Sequence, residues 1–207
     1  MNTYHKIPTV FKRGADHKVI EGAWSTPELE YLKDNTWTFT EKVDGTNIRV
    51  KIDNGKVTFA GKTDNASLPP KLLERLTERF AGDAEQNTVG LFDGSACLYG
   101  EGYGPKIQKG GGNYRKDQDF VLFDVRIGEW WLTRYAVEQV AAALGIDVVP
   151  IVGTGTLYDA VKWAKDGITS TWGDFQAEGI VARPSVDLLA RSASRIITKI
   201  KCRDFSS

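Results

Sequence analysis

The chain has 207 residues, 41% hydrophobic and 26% charged, with 27 basic and 27 acidic side chains and a formal net charge of zero. This composition fits a soluble globular protein and argues against one held on nucleic acid by bulk charge; the length lets a core bury roughly 70% of the unfolded surface without staples. Cys97 and Cys202 form no CxxC, so no structural zinc motif is read and both thiols are expected to be reduced, in a cytoplasmic protein.

The first eighteen residues contain no apolar h-region, so no signal peptide is expected, and no apolar run is long enough to span a membrane. The alternating run Trp37-Thr38-Phe39-Thr40 reads as a strand that ends in "EKVDGTN", where Asp44-Gly45 has the form of a hairpin turn. "IRVKIDNGKVTFAGK" reads as two strands around Asn54-Gly55, a type I′ hairpin signal. Gly55 to Thr63 imitates a phosphate-binding loop but has five residues between its glycines instead of four, and no helix follows directly. "PPKLLERLTERFAG" predicts a helix with Leu72, Leu73, Leu76 and Phe80 on one face.

"ACLYGEGYG" reads as a strand entering a glycine-rich loop, and "DFVLFDVRIGEWWLT" as two strands around Gly128-Glu129. A helix closed by Gly145, a strand over "IDVVPIV" and an amphipathic helix over "TLYDAVKWAKDG" follow, then late strands in "EGIVARP" and "RIITKIK". Hairpins with helices between them predict an α+β fold on antiparallel sheets; regular βαβ alternation is missing.

The chemistry begins at Lys42. A lysine is a nucleophile only when deprotonated, and neighbouring cations with partial burial favour that form. "TKIK" supplies cations: Lys199 and Lys201 stand two apart on a predicted strand, so both ammonium groups share a face. Glu101 and Glu178 each stand beside glycine at a predicted strand end, where a ligand can approach closely, and a carboxylate there can accept a ribose hydroxyl or hold Mg²⁺. Phe120 and Phe123 could stack on a base, although core packing is the ordinary use of such residues. Between Arg183 and Asp204 six basic residues face two acidic ones, and Lys106, Lys109, Arg115 and Lys116 form a second basic group.

The order of these motifs is more specific than any one of them. K-x-D-G, Y-G-E-G, F-x-x-F-D, E-G-I-V-A-R and K-I-K, in that sequence from about Lys6 to Phe205, resemble the covalent nucleotidyltransferases, the superfamily of ATP-dependent polynucleotide ligases and capping enzymes. "EKVDGTN", "GEGYGPKIQKGGGNY", "FVLFDV" and "KIKCRDF" resemble the RNA ligase family in particular. The resemblance implies a nucleotidyltransferase domain with antiparallel sheets and flanking helices around a central ATP cleft. It implies that Lys42 attacks the α-phosphate of ATP to give lysyl-AMP, that AMP passes to a 5′-phosphate, and that a 3′-hydroxyl displaces it.

By the same resemblance Glu101 contacts the ribose, Phe123 stacks on adenine, Glu178 helps bind Mg²⁺ or Mn²⁺, and Lys199 and Lys201 neutralise the phosphates. Glu41, Asp44, Thr46 and Asn47 belong to the lysine loop, with Glu41 and Asn47 expected to bind the nucleotide. Lys62 stands where many relatives have arginine, and lacks its bidentate fork. The expected partner is nucleic acid, with RNA strand ends or nicks foremost and no membrane; oligomeric state is not legible. The expected organisation is a single catalytic domain over residues 1–207, without a C-terminal accessory domain. Alternatives are a minimal ATP-dependent DNA ligase, a capping guanylyltransferase, and a non-catalytic nucleic-acid-binding module.

Overall fold

A computed structural model describes residues 3–205. Strands β1 (Phe11–Arg13) and β2 (Val19–Trp24) pair as an antiparallel ribbon, and helix α1 (Pro27–Tyr31) follows. Its first turn is capped by Thr26, whose hydroxyl accepts from the Leu29 amide. Next come β3 (Trp37–Glu41), β4 (Thr46–Asp53), β5 (Lys56–Ala60), α2 (Pro70–Phe80), α3 (Glu85–Val89), β6 (Ala96–Tyr103) and β7 (Asp119–Ile127). The remainder is β8 (Trp130–Trp131), α4 (Arg134–Leu144), β9 (Asp147–Val148), β10 (Ile151–Gly155), α5 (Leu157–Asp166), β11 (Gly179–Pro184) and β12 (Thr198–Lys201). The architecture is α+β on antiparallel sheets, and β9 with β7 is a parallel pairing. Among the described residues no helix is long and apolar enough to cross a membrane.

The chain forms two compact units. One holds Asp44–Val149 with the N-terminal residues through Tyr4. Its sheet runs β5-β4-β6-β7-β8, with β9 added to β7. The β4–β5 hairpin turns at Asn54 (φ 49°) and Gly55 (φ 72°), the left-handed pair that a type I′ turn requires. Ile48, Val50, Ile52, Leu98, Phe120 and Leu122 form one buried face, and α2 covers it with Leu72, Leu76 and Phe80. Removing a ring such as that of Phe80 would cost roughly 3–5 kcal/mol. Leu73, expected on the same face, is instead exposed. It lies about 100° around the helix from Leu72, and the buried stripe runs through positions 72, 76 and 80 at i, i+4 and i+8.

The other unit holds His5–Val43 and the chain from Pro150 onward. Its main sheet has the order β10-β3-β11-β12, all antiparallel. Trp37 and Phe39 are fully buried on β3, and α5 contributes Leu157, Ala160, Val161 and Ala164 to the same core. α5 starts with a capping box: the Thr156 hydroxyl accepts from the Asp159 amide, and the Asp159 carboxylate accepts from the Thr156 amide. Trp163 packs edge-on against Phe39, and Gly153 has no room for a Cβ, which would lie 2.2 Å from the Trp163 ring.

Two expectations are corrected here. Asp44-Gly45 is not a hairpin turn, because β3 pairs with β10 and β11 while β4 pairs with β5 and β6. Gly45 serves close packing instead: a Cβ there would stand 2.3 Å from the Gly102 carbonyl oxygen and 2.7 Å from Glu101 Cγ. The strand expected over 146–152 is two strands, split at Pro150; β9 pairs with β7 and β10 with β3. Proline has no amide to continue a ladder. Four elements had no counterpart in the sequence expectations: β1, β2, α1 and α3.

Candidate active site

Lys42 directly follows β3 and continues its line, its amide donating to the Gly179 carbonyl at the start of β11. Glu178 precedes that strand, and its backbone carbonyl accepts from the Cys202 amide just beyond β12. These bonds fix both side chains from the backbone. β12 pairs with β11 so that Lys201 faces Gly179 and Lys199 faces Val181. Thr198 and Ile200 are buried while Lys199 and Lys201 are half-buried, the period-2 alternation of a strand. Gly179 is required by this pairing, since a Cβ there would lie 2.1 Å from the Ile200 carbonyl oxygen.

The Glu178 carboxylate bridges two amines. One oxygen lies 2.5 Å from Lys42 Nζ and the other 2.6 Å from Lys201 Nζ. The three side chains are 23%, 12% and 15% exposed for Lys42, Glu178 and Lys201. Lys199 completes the group. Its pKa is lowered first by burial, then by the charges of Lys201, Lys42 and Lys6, with Glu178 opposing. Three ammonium groups around one carboxylate leave surplus positive charge in a partly desolvated place, an arrangement that can take up phosphate and present an amine to it.

The Glu41 carboxylate is held by the protein itself. It is 1% exposed and accepts from Ser170 Oγ (2.6 Å), the Thr171 amide (2.8 Å) and Thr171 Oγ1 (2.8 Å). This carboxylate anchors the 170–171 turn beside the nucleophile loop. A buried carboxylate is stable only when hydrogen-bonded in this way.

The remaining expected residues lie in the other unit. Asn47 on β4 stands opposite Glu101 on β6 in register. Asn47 Oδ1 is buried without a hydrogen-bond partner, as is Nη1 of the fully buried Arg49 two residues along the same strand face. Orphaned polar atoms of this kind suit a polar ligand. Phe120 is core, whereas Phe123 is half-buried. Phe123 is the extra residue of a β-bulge, because Tyr99 pairs with Asp124 and Gly100 with Leu122. Tyr4 packs edge-on against the Phe123 ring at 5.0 Å and donates to the buried Asp124 carboxylate at 2.7 Å. Lys62 is exposed in the loop after β5 and makes no ion pair among the described residues.

Four residues were not anticipated. Ser170 and Thr171 hold Glu41, Lys6 adds a cation beside Lys199, and Tyr4 buttresses Phe123. None belongs to a motif, and each meets its partner only across a long stretch of sequence, so no spacing could have found it. Cys97 and Cys202 are buried, and burial raises the pKa of each thiol.

The fold resembles solved RNA ligases of Naegleria gruberi. A ligand-free mutant of that enzyme matches with a TM-score of 0.67 and 19% identity over 99% of this chain and 59% of that one. A mutant with ATP and Mn matches with a TM-score of 0.67 and 19% identity over 97% and 60%, and the enzyme with PPi with 0.65 and 18% over 96% and 61%. The chain thus spans about three fifths of the length of these proteins. At this identity the likeness carries the fold. The RNA ligase family model matches residues 35–201, most of the sequence and every strand of the lysine cluster, and the chain therefore belongs to the RNA ligase family.

Proposed function

We propose that the protein is an ATP-dependent RNA ligase in which Lys42 is the nucleophile. The observation that carries this reading is the Lys42–Glu178–Lys201 bridge with Lys199 beside it, a cationic cluster around an amine. Before attack the Lys42–Glu178 pair opens and the amine gives up a proton to solvent, which frees its lone pair for the α-phosphate. The Lys42 Nζ–P bond then forms at the α-phosphate as the bond from that phosphorus to the bridging oxygen breaks, and pyrophosphate leaves. In the second step a polynucleotide 5′-phosphate oxygen attacks the same phosphorus and releases Lys42. In the third a 3′-hydroxyl attacks the 5′-phosphate, AMP leaves, and the strand is sealed.

Lys199 and Lys201 neutralise phosphate charge through these steps, the largest demand of nucleotidyl transfer after alignment. The nucleoside roles fall to Glu101 for the ribose and Phe123 for the base, with Asn47 and Lys62 as further contacts. The orphaned Asn47 Oδ1 supports a polar ligand on that strand face. Glu178 suits a divalent metal of the Mg²⁺ or Mn²⁺ type, which keeps several waters and takes one or two carboxylates with phosphate oxygens. Such a cation supplies charge neutralisation at the transferring phosphate. The partner is an RNA strand with a 5′-phosphate and a 3′-hydroxyl end.

The test is label transfer from α-labelled ATP with Mg²⁺. The wild type is expected to become covalently labelled and Lys42→Ala to lose all label; label that survives the substitution ends the proposed mechanism.

A further inference from the structure

The first unit carries a cavity of about 420 Å³ with no part in the chemistry above. Its walls come from α2 (Lys71, Glu74, Arg75, Glu78) and from the two ends of the 105–118 loop (Pro105, Lys106, Lys116, Asp117, Gln118). We propose that this cavity binds a phosphodiester segment of the RNA strand. The choice of RNA rests on the ligase reading, while the site rests on its own residues.

The charge is the first argument. Glu78 is taken by Arg75 at 3.1 Å and Asp117 by Arg115 at 2.6 Å. Lys71, Lys106 and Lys116 are exposed and make no ion pair among the described residues. Three uncommitted ammonium groups thus face one uncommitted carboxylate, Glu74, and the site favours an anion. The second argument is unmet hydrogen bonding. Arg75 Nε and Gln118 Oε1 are both buried without a partner, one a donor and one an acceptor. A bare anion satisfies only the donor. A ribonucleotide unit offers phosphate oxygens to the cations and Arg75, and a 2′-hydroxyl or base donor to Gln118.

The third argument is that the loop is built to hold this shape. Gln118 Nε2 donates to the Pro105 carbonyl at 2.7 Å, which fixes the amide so that Oε1 is the free atom. Gly104 has φ 123° and packs against the Asp117 carbonyl, where a Cβ would stand at 2.3 Å. Lys106 is held at φ 65°, a left-handed conformation rare outside glycine and concentrated at functional sites. Beneath it, Asp119 is 1% exposed and takes guanidinium groups from Arg79 (2.5 Å), Arg115 (2.9 Å) and Arg75 (3.5 Å), tying both walls together. The same loop reaches the nucleophile motif: Gln108 donates to the Gly45 carbonyl, and the Asp44 amide to the Tyr114 hydroxyl.

The experiment uses the full chain with Lys71, Lys106 and Lys116 all changed to alanine, and a control with Lys12, Lys18 and Lys56 changed to alanine. All six are surface side chains, so both variants are expected to fold. Binding of a fluorescent single-stranded RNA with a 5′-phosphate is followed by anisotropy across a salt series. The cavity variant is expected to bind at least about tenfold more weakly at low salt, with the log–log salt slope reduced by about 2, the loss of three phosphate contacts. The control is expected to stay within about twofold of wild type, and labelling by ATP to be unchanged in both. RNA affinity equal to wild type in the cavity variant, or an equal loss in the control, overturns the site. Failure of the wild type to take label from ATP instead strikes the ligase reading, which separates the two.

Discussion

At the residue scale, position 42 is an amine held by a carboxylate that a second lysine also holds. Glu178 is central to both pairs, so Glu178→Ala leaves three ammonium groups facing one another without their counter-ion. We expect ATP-dependent labelling of that variant to fall at least about a hundredfold, the scale on which misplacing a reacting group acts. The measurement is single-turnover label transfer at saturating ATP, and labelling near the wild-type rate would remove Glu178 from the chemistry. Glu41 gives a stability prediction: Thr171→Val deletes one of its charged-acceptor hydrogen bonds and should cost about 1.5–3 kcal/mol in urea unfolding. The lysines and Glu178 were legible because motif order carries them. The anchoring of Glu41 by Ser170 and Thr171 was not, since no motif links a glutamate to a turn 130 residues away.

At the scale of elements, strand and helix positions followed from periodicity and turn residues. Asn54-Gly55 and Gly145 marked their turn and helix end because a left-handed backbone demands such residues. Asp44-Gly45 misled for a related reason: a glycine needed for close approach to Gly102 is indistinguishable in sequence from one needed for a turn. β1 and β2 were invisible because Phe11–Arg13 and Val19–Trp24 do not alternate apolar with polar, and α1 and α3, at five residues each, are too short to show a helical period. Glycine contact makes the next prediction. Gly179→Ala puts a methyl 2.1 Å from the Ile200 carbonyl, so β11 and β12 must part where Lys201 meets Glu178. We expect a loss of about 1–3 kcal/mol in unfolding free energy from overpacking, together with loss of labelling by ATP. A variant with wild-type stability and labelling would show that the strand pairing does not position the site.

At the scale of the whole molecule, the two units have separate cores, and the first has an ionic anchor at Asp119. Burial alone would raise the Asp119 pKa, but the Arg79 hydrogen bonds, the Phe120 amide and the charge of Arg115 outweigh it and lower the pKa. Its stabilisation is therefore present above the ordinary carboxylate value of about 3.9 and is lost as pH falls through the lower folded value. Asp119→Asn should cost about 1.5–3 kcal/mol at neutral pH, because it removes the charged acceptor shared by three half-buried guanidinium groups, and should flatten the acid limb of a stability–pH curve. An acid limb as steep as that of the wild type would contradict this.

The most direct test of the central claim is intact-protein mass spectrometry after incubation with ATP and Mg²⁺, with peptide mapping of any adduct. The account predicts a single AMP on the peptide that contains Lys42, joined through Nζ. An unmodified protein, or AMP mapped to Lys199, Lys201 or any other residue, would contradict it.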